Sequence, residues 1–387
     1  MNETTIASTW VHNLDPFLIQ FSDSIGIRWY GMAYLAGFIL GGMLMIFIAK
    51  RGRRTISPEM ITDYITYLVL GTMIGGRLGY ALFYGPDLLT DFSTRFPFWG
   101  VLRVWEGGMA SHGGIIGIIL AAWLFARRHK LNWLHLGDLT VLGGSVGIFF
   151  GRIANFINGE LFGRETVSHA PWAVKFPGEM YLWLKHDAEK KLSDLSAGPD
   201  LLPRLNDAVA AIGVKLDQWQ QWMAQVRTSR HSQIEIQMVI DQLIHAVQNG
   251  NEQVQMALAQ VLSPRHPSQL YEALLEGAVL FAVAFLFWRK PRKPGVVGAV
   301  WLTVYAIVRI IGEQFRMPDA HIGFQLFGLT RGQWLSIAMF AASVAFLIWT
   351  SRRKAEVIAG WGPEAQKLRS EDNEIKTEEP SSKPSKK

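Results

Sequence analysis

The chain has 387 residues, 49% of them hydrophobic and 18% charged, against roughly 25% charged in soluble domains. Mean hydropathy is +0.15 despite a charged C-terminal tail and a polar middle, so the rest is too apolar for an ordinary soluble protein. Cysteine is absent, which excludes disulfides, thiolate-held zinc or iron–sulfur clusters and a cysteine nucleophile.

The first twenty residues lack a basic n-region and a small-residue cleavage site, so a cleaved signal peptide is not expected. Residues 31–49 carry no charge and nearly reach the ~20 residues a spanning helix needs. Lys50, Arg51, Arg53 and Arg54 follow. A second apolar stretch, 64–84, is broken by Arg77. The third, 107–126, holds His112 and runs into Arg127, Arg128 and Lys130. The fourth, 139–158, carries Arg152, Asn155 and Asn158 near its end. The fifth, 270–288, has Glu272 and Glu276 early and ends in Arg289, Lys290, Arg292 and Lys293. The sixth, 295–312, carries Arg309. The seventh, 333–350, is followed by Arg352, Arg353 and Lys354.

The basic clusters follow segments one, three, five and seven, so they share one side of an alternating seven-span path. The positive-inside rule then predicts an all-α polytopic membrane protein with its N-terminus outside and its C-terminus cytoplasmic. It also explains the positive excess without nucleic acid. Four regions are expected. Residues 1–184 hold spans one to four. Residues 185–262 form an extracytoplasmic helical insertion, 263–354 hold spans five to seven, and 355–387 are a charged cytoplasmic tail of disordered composition. In the insertion, Ile236, Val239, Ile240, Leu243 and Val247 recur at helical spacing, and Asn249-Gly250-Asn251 ends that helix. Two rows of glycines, Gly71/Gly75/Gly79 and Gly143/Gly147/Gly151, suit close helix packing in lipid.

Ionisable residues inside a membrane are costly and mark candidate sites. Arg152 and Asn155 share a helix face, with Glu160 just beyond. Tyr305, Arg309 and Glu313 form a stripe at intervals of four, continued by Arg316. The topology places these residues, with Tyr30, His112 and His266, toward the outer half of the bilayer. Guanidinium forks bind phosphate bidentately and keep their charge when poorly hydrated. The anion expected at that depth is a phospholipid headgroup. Histidine can take a proton near neutral pH. Plainer roles stand beside these: a structural pair for Arg309 and Glu313, an aromatic belt for Trp29 and Tyr30, an interfacial place for Trp105 and Glu106, and packing for Arg77. No metal site is expected, since His12, His169 and His266 are too scattered. The other function classes open to these charges are an anion or proton-coupled transporter and a noncatalytic scaffold.

The run from Gly151 to Arg164 (GRIANFINGELFGR) resembles the signature of the prolipoprotein diacylglyceryl transferase family. Trp29-Tyr-Gly31, the stretch 103–109, His112-Gly-Gly114, the stretch from Arg265 to Glu272 and Phe315-Arg-Met-Pro-Asp319 support the likeness. The resemblance implies an inner-membrane enzyme without cofactor, its active site toward the outer leaflet. It would move a diacylglyceryl group from phosphatidylglycerol to the lipobox cysteine of a preprolipoprotein signal peptide. It implies His112 as a candidate base and Arg152 and Arg309 as headgroup ligands. It implies catalytic importance for Tyr30, Asn155 and Glu160, and substrate-binding importance for Gly163, Tyr305, Glu313, Glu272 and His266. Two departures are expected: a segment near 185–262 longer than usual in the family, and the extra tail.

Overall fold

The computed structural model describes residues 9–21, 26–51, 56–94, 96–104, 107–167, 170–185, 201–226, 228–317, 325–358 and 360. Trp105, Glu106, His169, Asp319 and the tail beyond 360 lie outside them.

In chain order come β1 (Trp10–Val11), β2 (Phe17–Gln20), β3 (Gly26–Arg28), α1 (Trp29–Arg51), α2 (Pro58–Phe83), α3 (Ser111–His129), α4 (Trp133–Ile157), β4 (Val174–Lys175) and α5 (Met180–Lys185). Then come α6 (Leu201–Ala211), α7 (Leu216–Gln225), α8 (Arg230–Gln248), α9 (Glu252–Val261), β5 (Pro264–Arg265), α10 (Ser268–Arg289), α11 (Val296–Gly312) and α12 (Arg331–Arg352). Each apolar segment seen in the sequence is a helix. The boundaries move for local reasons. Ser57 accepts from Met60 N and Pro58 takes the first helical position, so α2 begins six residues early. Gly107 and Gly108 have φ of 82° and 78°, so α3 begins only at Ser111.

Among the described residues, five helices are long and apolar enough to cross a membrane: α1, α2, α4, α10 and α12. α11 is shorter, at 17 residues. α3 opens on Ser-His-Gly-Gly and closes on Arg127, Arg128 and His129, which trims its apolar length. The expected seven spans therefore rest on length and composition for five helices only.

The chain forms two compact, discontinuous units. The first comprises 1–35, 148–278 and 305–340. Its core joins α6, α8 and α9, where Ile236, Val239, Ile240, Leu243 and Val247 are all buried with Leu205, Val209 and Leu258. Gly250 turns the chain with φ of 78°, and Asn251 caps α9 by accepting from Val254 N. Beside this core, β1 pairs parallel to β4 and β4 antiparallel to β5, while β2 and β3 make a separate hairpin.

The second unit comprises 36–147, 279–304 and 341–387. Tyr64, Phe125, Leu136, Leu139 and Trp288 fill its core. Its glycine rows are contact surfaces. A Cβ on Gly79 would sit 2.8 Å from Gly113 Cα, and one on Gly37 would sit 2.9 Å from Gly147 Cα. The fit supports the packing role for Gly71, Gly75 and Gly79; in the second row Gly143 and Gly147 receive Gly41 and Gly37, but a Cβ on Gly147 or Gly151 itself would meet nothing within 4 Å. Asp138 accepts from Gly295 N (2.7 Å) and Gly298 N (2.6 Å), placing a carboxylate at the positive start of α11.

Candidate active site

Four successive pieces of the first unit supply its charged centre. α4 contributes Arg152 from its last two turns, and α11 contributes Arg309. Arg316 and Glu313 follow α11, and α10 contributes Glu272 and Glu276. α10 is regular over Ser268–Glu272 and Leu280–Arg289; between them Ala273–Val279 is a π-helical stretch, a rare form that is frequent at functional sites. Arg152 Nη2 lies 2.8 Å from Glu276 Oε2 and its Nη1 lies 2.9 Å from Glu272 Oε2. The second of these is a charge contact rather than an aligned hydrogen bond, and it leaves Glu272 Oε2 short of a donor. Arg309 Nη1 lies 2.9 Å from Glu272 Oε1 and 3.1 Å from Glu276 Oε1, while its Nη2 lies 2.6 Å from Glu313 Oε1. Arg316 reaches Glu272 at 3.3 Å, and Thr330 donates to Glu313 Oε2 at 2.9 Å. Tyr305, one turn before Arg309, lies within electrostatic reach of both arginines and of Glu272 and Glu276.

The two predicted arginines thus meet on the same pair of carboxylates. The side chains of Arg152 and Arg309 remain 18% and 16% exposed, whereas Glu272 and Glu276 are 0% and 1% exposed. The carboxylates form the back of the site and the guanidiniums its front. A front of guanidinium forks suits a tetrahedral oxyanion. Among the described residues of the cluster, three guanidiniums face three carboxylates. Pairing at this depth costs desolvation that the ion contacts only roughly repay.

A second polar group adjoins it. Tyr30, on the first turn of α1, donates to Glu160 Oε1, and Asn155 donates to the Tyr30 hydroxyl. Asn155 also donates to Glu160 Oε1 at 2.8 Å. Burial pushes the Glu160 carboxyl above the usual carboxylate range. The loop that carries Glu160 is fixed from three directions. Gln269 donates to Glu160 O (2.6 Å) and Ser268 to Leu161 O (3.1 Å). His12 donates through Nε2 to Phe156 O at 2.7 Å. Its other ring nitrogen would meet a Cβ on Gly159 at 3.1 Å, and Gly159 has φ of 65°, so glycine is required there. Burial lowers the His12 pKa to about 4.

Gly163 is a backbone junction. It donates to His266 O at 2.9 Å and bridges to Arg316, and a Cβ there would sit 2.5 Å from Phe315 O and 2.6 Å from His266 O. Arg164 donates to Arg316 O (2.9 Å) and Glu313 O (3.1 Å), tying the signature loop to the segment after α11. Arg265 is spent on Glu179 at 3.0 Å and Gly163 O at 3.3 Å. His266 lies edge-on to Phe315 and Tyr271, with Nδ1 3.3 Å from the Tyr271 hydroxyl, rather than on the arginine cluster. Burial lowers its pKa.

In the second unit, His112 is the second residue of α3 and is exposed. Arg77 is buried. It donates to the carbonyls of Val101 (2.7 Å), Gly108 (3.1 Å), Gly100 (3.0 Å), Arg103 (3.0 Å) and Gly107. Its five donors are used on the loop leading to His112, which leaves none for a phosphate. Sequence reasoning noted Arg316 only as the continuation of the Tyr305–Glu313 stripe and gave Glu276 no role in the site. The signal for Glu276 was two carboxylates four residues apart on an otherwise apolar helix, which demands cations from elsewhere. Among the described residues no three His, Asp or Glu are placed to hold a metal.

Spanning-length helices, with arginines of separate segments converging on buried carboxylates, define an α-helical membrane protein with a buried charged centre. The family model for prolipoprotein diacylglyceryl transferase matches residues 16–349. A phosphatidylglycerol–prolipoprotein diacylglyceryl transferase from Bdellovibrio bacteriovorus is 47% identical over 351 residues, 91% of this chain and 97% of that protein. Proteins of the same name from Burkholderia orbicola and Burkholderia thailandensis are each 38% identical. They align over 89% and 88% of this chain and 96% of their own lengths. The chain belongs to the prolipoprotein diacylglyceryl transferase family. An alignment over 91% of the chain must run through more than half of 185–262, so that stretch has a counterpart in the Bdellovibrio relative.

Proposed function

We propose that the chain transfers the diacylglyceryl group of phosphatidylglycerol to the lipobox cysteine of a preprolipoprotein, forming a thioether and releasing glycerol 1-phosphate. The observation that carries this reading is the convergence of Arg152 and Arg309 on Glu272 and Glu276, with both arginine side chains still partly exposed. In the reaction the thiol sulfur attacks the glycerol carbon that bears the phosphate. The C–O bond breaks, and its electron pair leaves with the phosphate monoester. Charge grows on the phosphate oxygens, where two forks stabilise it most. Glu272, Glu276 and Glu313 act through the arginines by holding them in place.

The thiol, with an unperturbed pKa of about 8.5, needs a base. His112 is our candidate, and the proton it takes passes to the departing phosphate. Tyr30, Asn155 and Glu160 form the polar group beside the arginines and orient the headgroup glycerol. Gly163 and His266 keep the signature loop against the segment after α11, and Tyr305 extends the arginine stripe. The enzyme would be a seven-span protein of the bacterial inner membrane with its N-terminus outside and its site open to the outer leaflet. The placement of its basic clusters after alternate spans supports that orientation.

Purified protein given labelled phosphatidylglycerol and a lipobox peptide should yield a thioether-linked product. Uptake of anions into vesicles without that product would instead support a transporter, a reading that the names of the relatives do not favour.

A further inference from the structure

The first unit carries an open cleft of about 700 Å³, within the size range of ligand sites. One wall is the polar face of α8, with Asp241, His245 and Gln248. Another comes from the β2–β3 hairpin, with Arg28. Glu160 and Arg316 close its inner end. Arg316 also contacts Glu272, so this end abuts the charged centre. Asp241 accepts from Tyr181, which lines the same space. Two cations and two carboxylates, from separate elements, make the lining close to neutral.

The lining sets apolar side chains, among them Phe17, Leu161, Phe162, Leu182 and Met317, between these charged groups, so a bare lipid tail meets charges and a free anion finds its charge already matched. A neutral chain rich in donors and acceptors does fit. We propose that the cavity holds the polypeptide that follows the acceptor cysteine. This rests on the transferase reading. The segment before that cysteine is an apolar signal region suited to the bilayer. The part after it is hydrated, and it must leave the charged centre through polar surroundings. α8 belongs to the 185–262 insertion, so the insertion supplies one wall of a peptide site.

Two peptides test this: one ending at the lipobox cysteine as an amide, the other continuing for about five polar residues, a reach of roughly 17 Å. Asp241 and His245 are exposed on α8, so D241A and H245W leave its buried face intact. In the parent protein the longer peptide should show a KM about tenfold lower, a difference of about 1.4 kcal/mol. In both variants the advantage should shrink to within about twofold, with the KM for phosphatidylglycerol unchanged, because H245W fills the space and D241A removes one charged lining group. Equal KM values in the parent, or a full advantage kept by H245W, would overturn the inference. No product from either peptide would instead defeat the transferase reading, and this site with it.

Discussion

Arg309 contacts three carboxylates and Arg152 two. Replacing either by alanine should cut transfer by about 10²–10³-fold, the scale for losing one charge-stabilising group. Alanine also strands buried glutamates, at a cost of about 3–5 kcal/mol, so lost folding could mimic lost chemistry. R309K separates the two: the charge stays, the fork goes. Its thermal unfolding in detergent should stay near that of the parent while transfer still collapses. His12 makes a different prediction. Its folded pKa of about 4 lies below the ordinary 6.5, so the fold favours the neutral ring. Stability from this group is fully present above pH 6.5 and is lost as pH falls toward 4. The loss amounts to at most about 3 kcal/mol. The variant H12Q keeps a donor for Phe156 O and has no proton to gain. The drop in Tm between pH 7.5 and pH 5 should therefore be smaller in H12Q than in the parent.

At the scale of elements, Gly163 is where the signature loop, β5 and the segment after α11 meet. A new Cβ would strike the carbonyl oxygens of Phe315 and His266 and the His266 Cβ, none of which can swing aside. G163A should cost about 1–3 kcal/mol, as overpacking does. It should lower Tm and transfer together, because the Arg164 bonds to Glu313 O and Arg316 O depend on that register. The helices were legible in the sequence because apolar runs of 18 or more residues with at most two charges have few alternatives. The strands were not: β1, β4 and β5 have two residues each, too few to show a period. The candidate site was half legible. Arg152, Arg309 and Glu313 stood out as charges in apolar runs. The closure of the cluster by Glu276 and Arg316 depends on three distant segments meeting and on a π-helical stretch that no local pattern announces.

For the whole molecule, the absence of cysteine makes the proposed topology directly measurable. Met238 is exposed on α8, and Arg128 is exposed at the end of α3. In intact spheroplasts, a membrane-impermeant maleimide should label M238C at once and R128C only after permeabilisation. The reverse pattern would invert the orientation drawn from the basic clusters. The same labelling would place the insertion, and with it the peptide site, on the outer side.

Because the resting cluster already matches every plus with a minus, a small soluble anion gains little by entering. It would have to prise guanidiniums from carboxylates that water does not reach, and it brings no greasy anchor to offset the effort. A phospholipid is already moored in the bilayer by its tails while those partners change hands. Inorganic phosphate abundant outside the cell should therefore pass the pocket by, and the enzyme should answer only to guests that the membrane itself delivers.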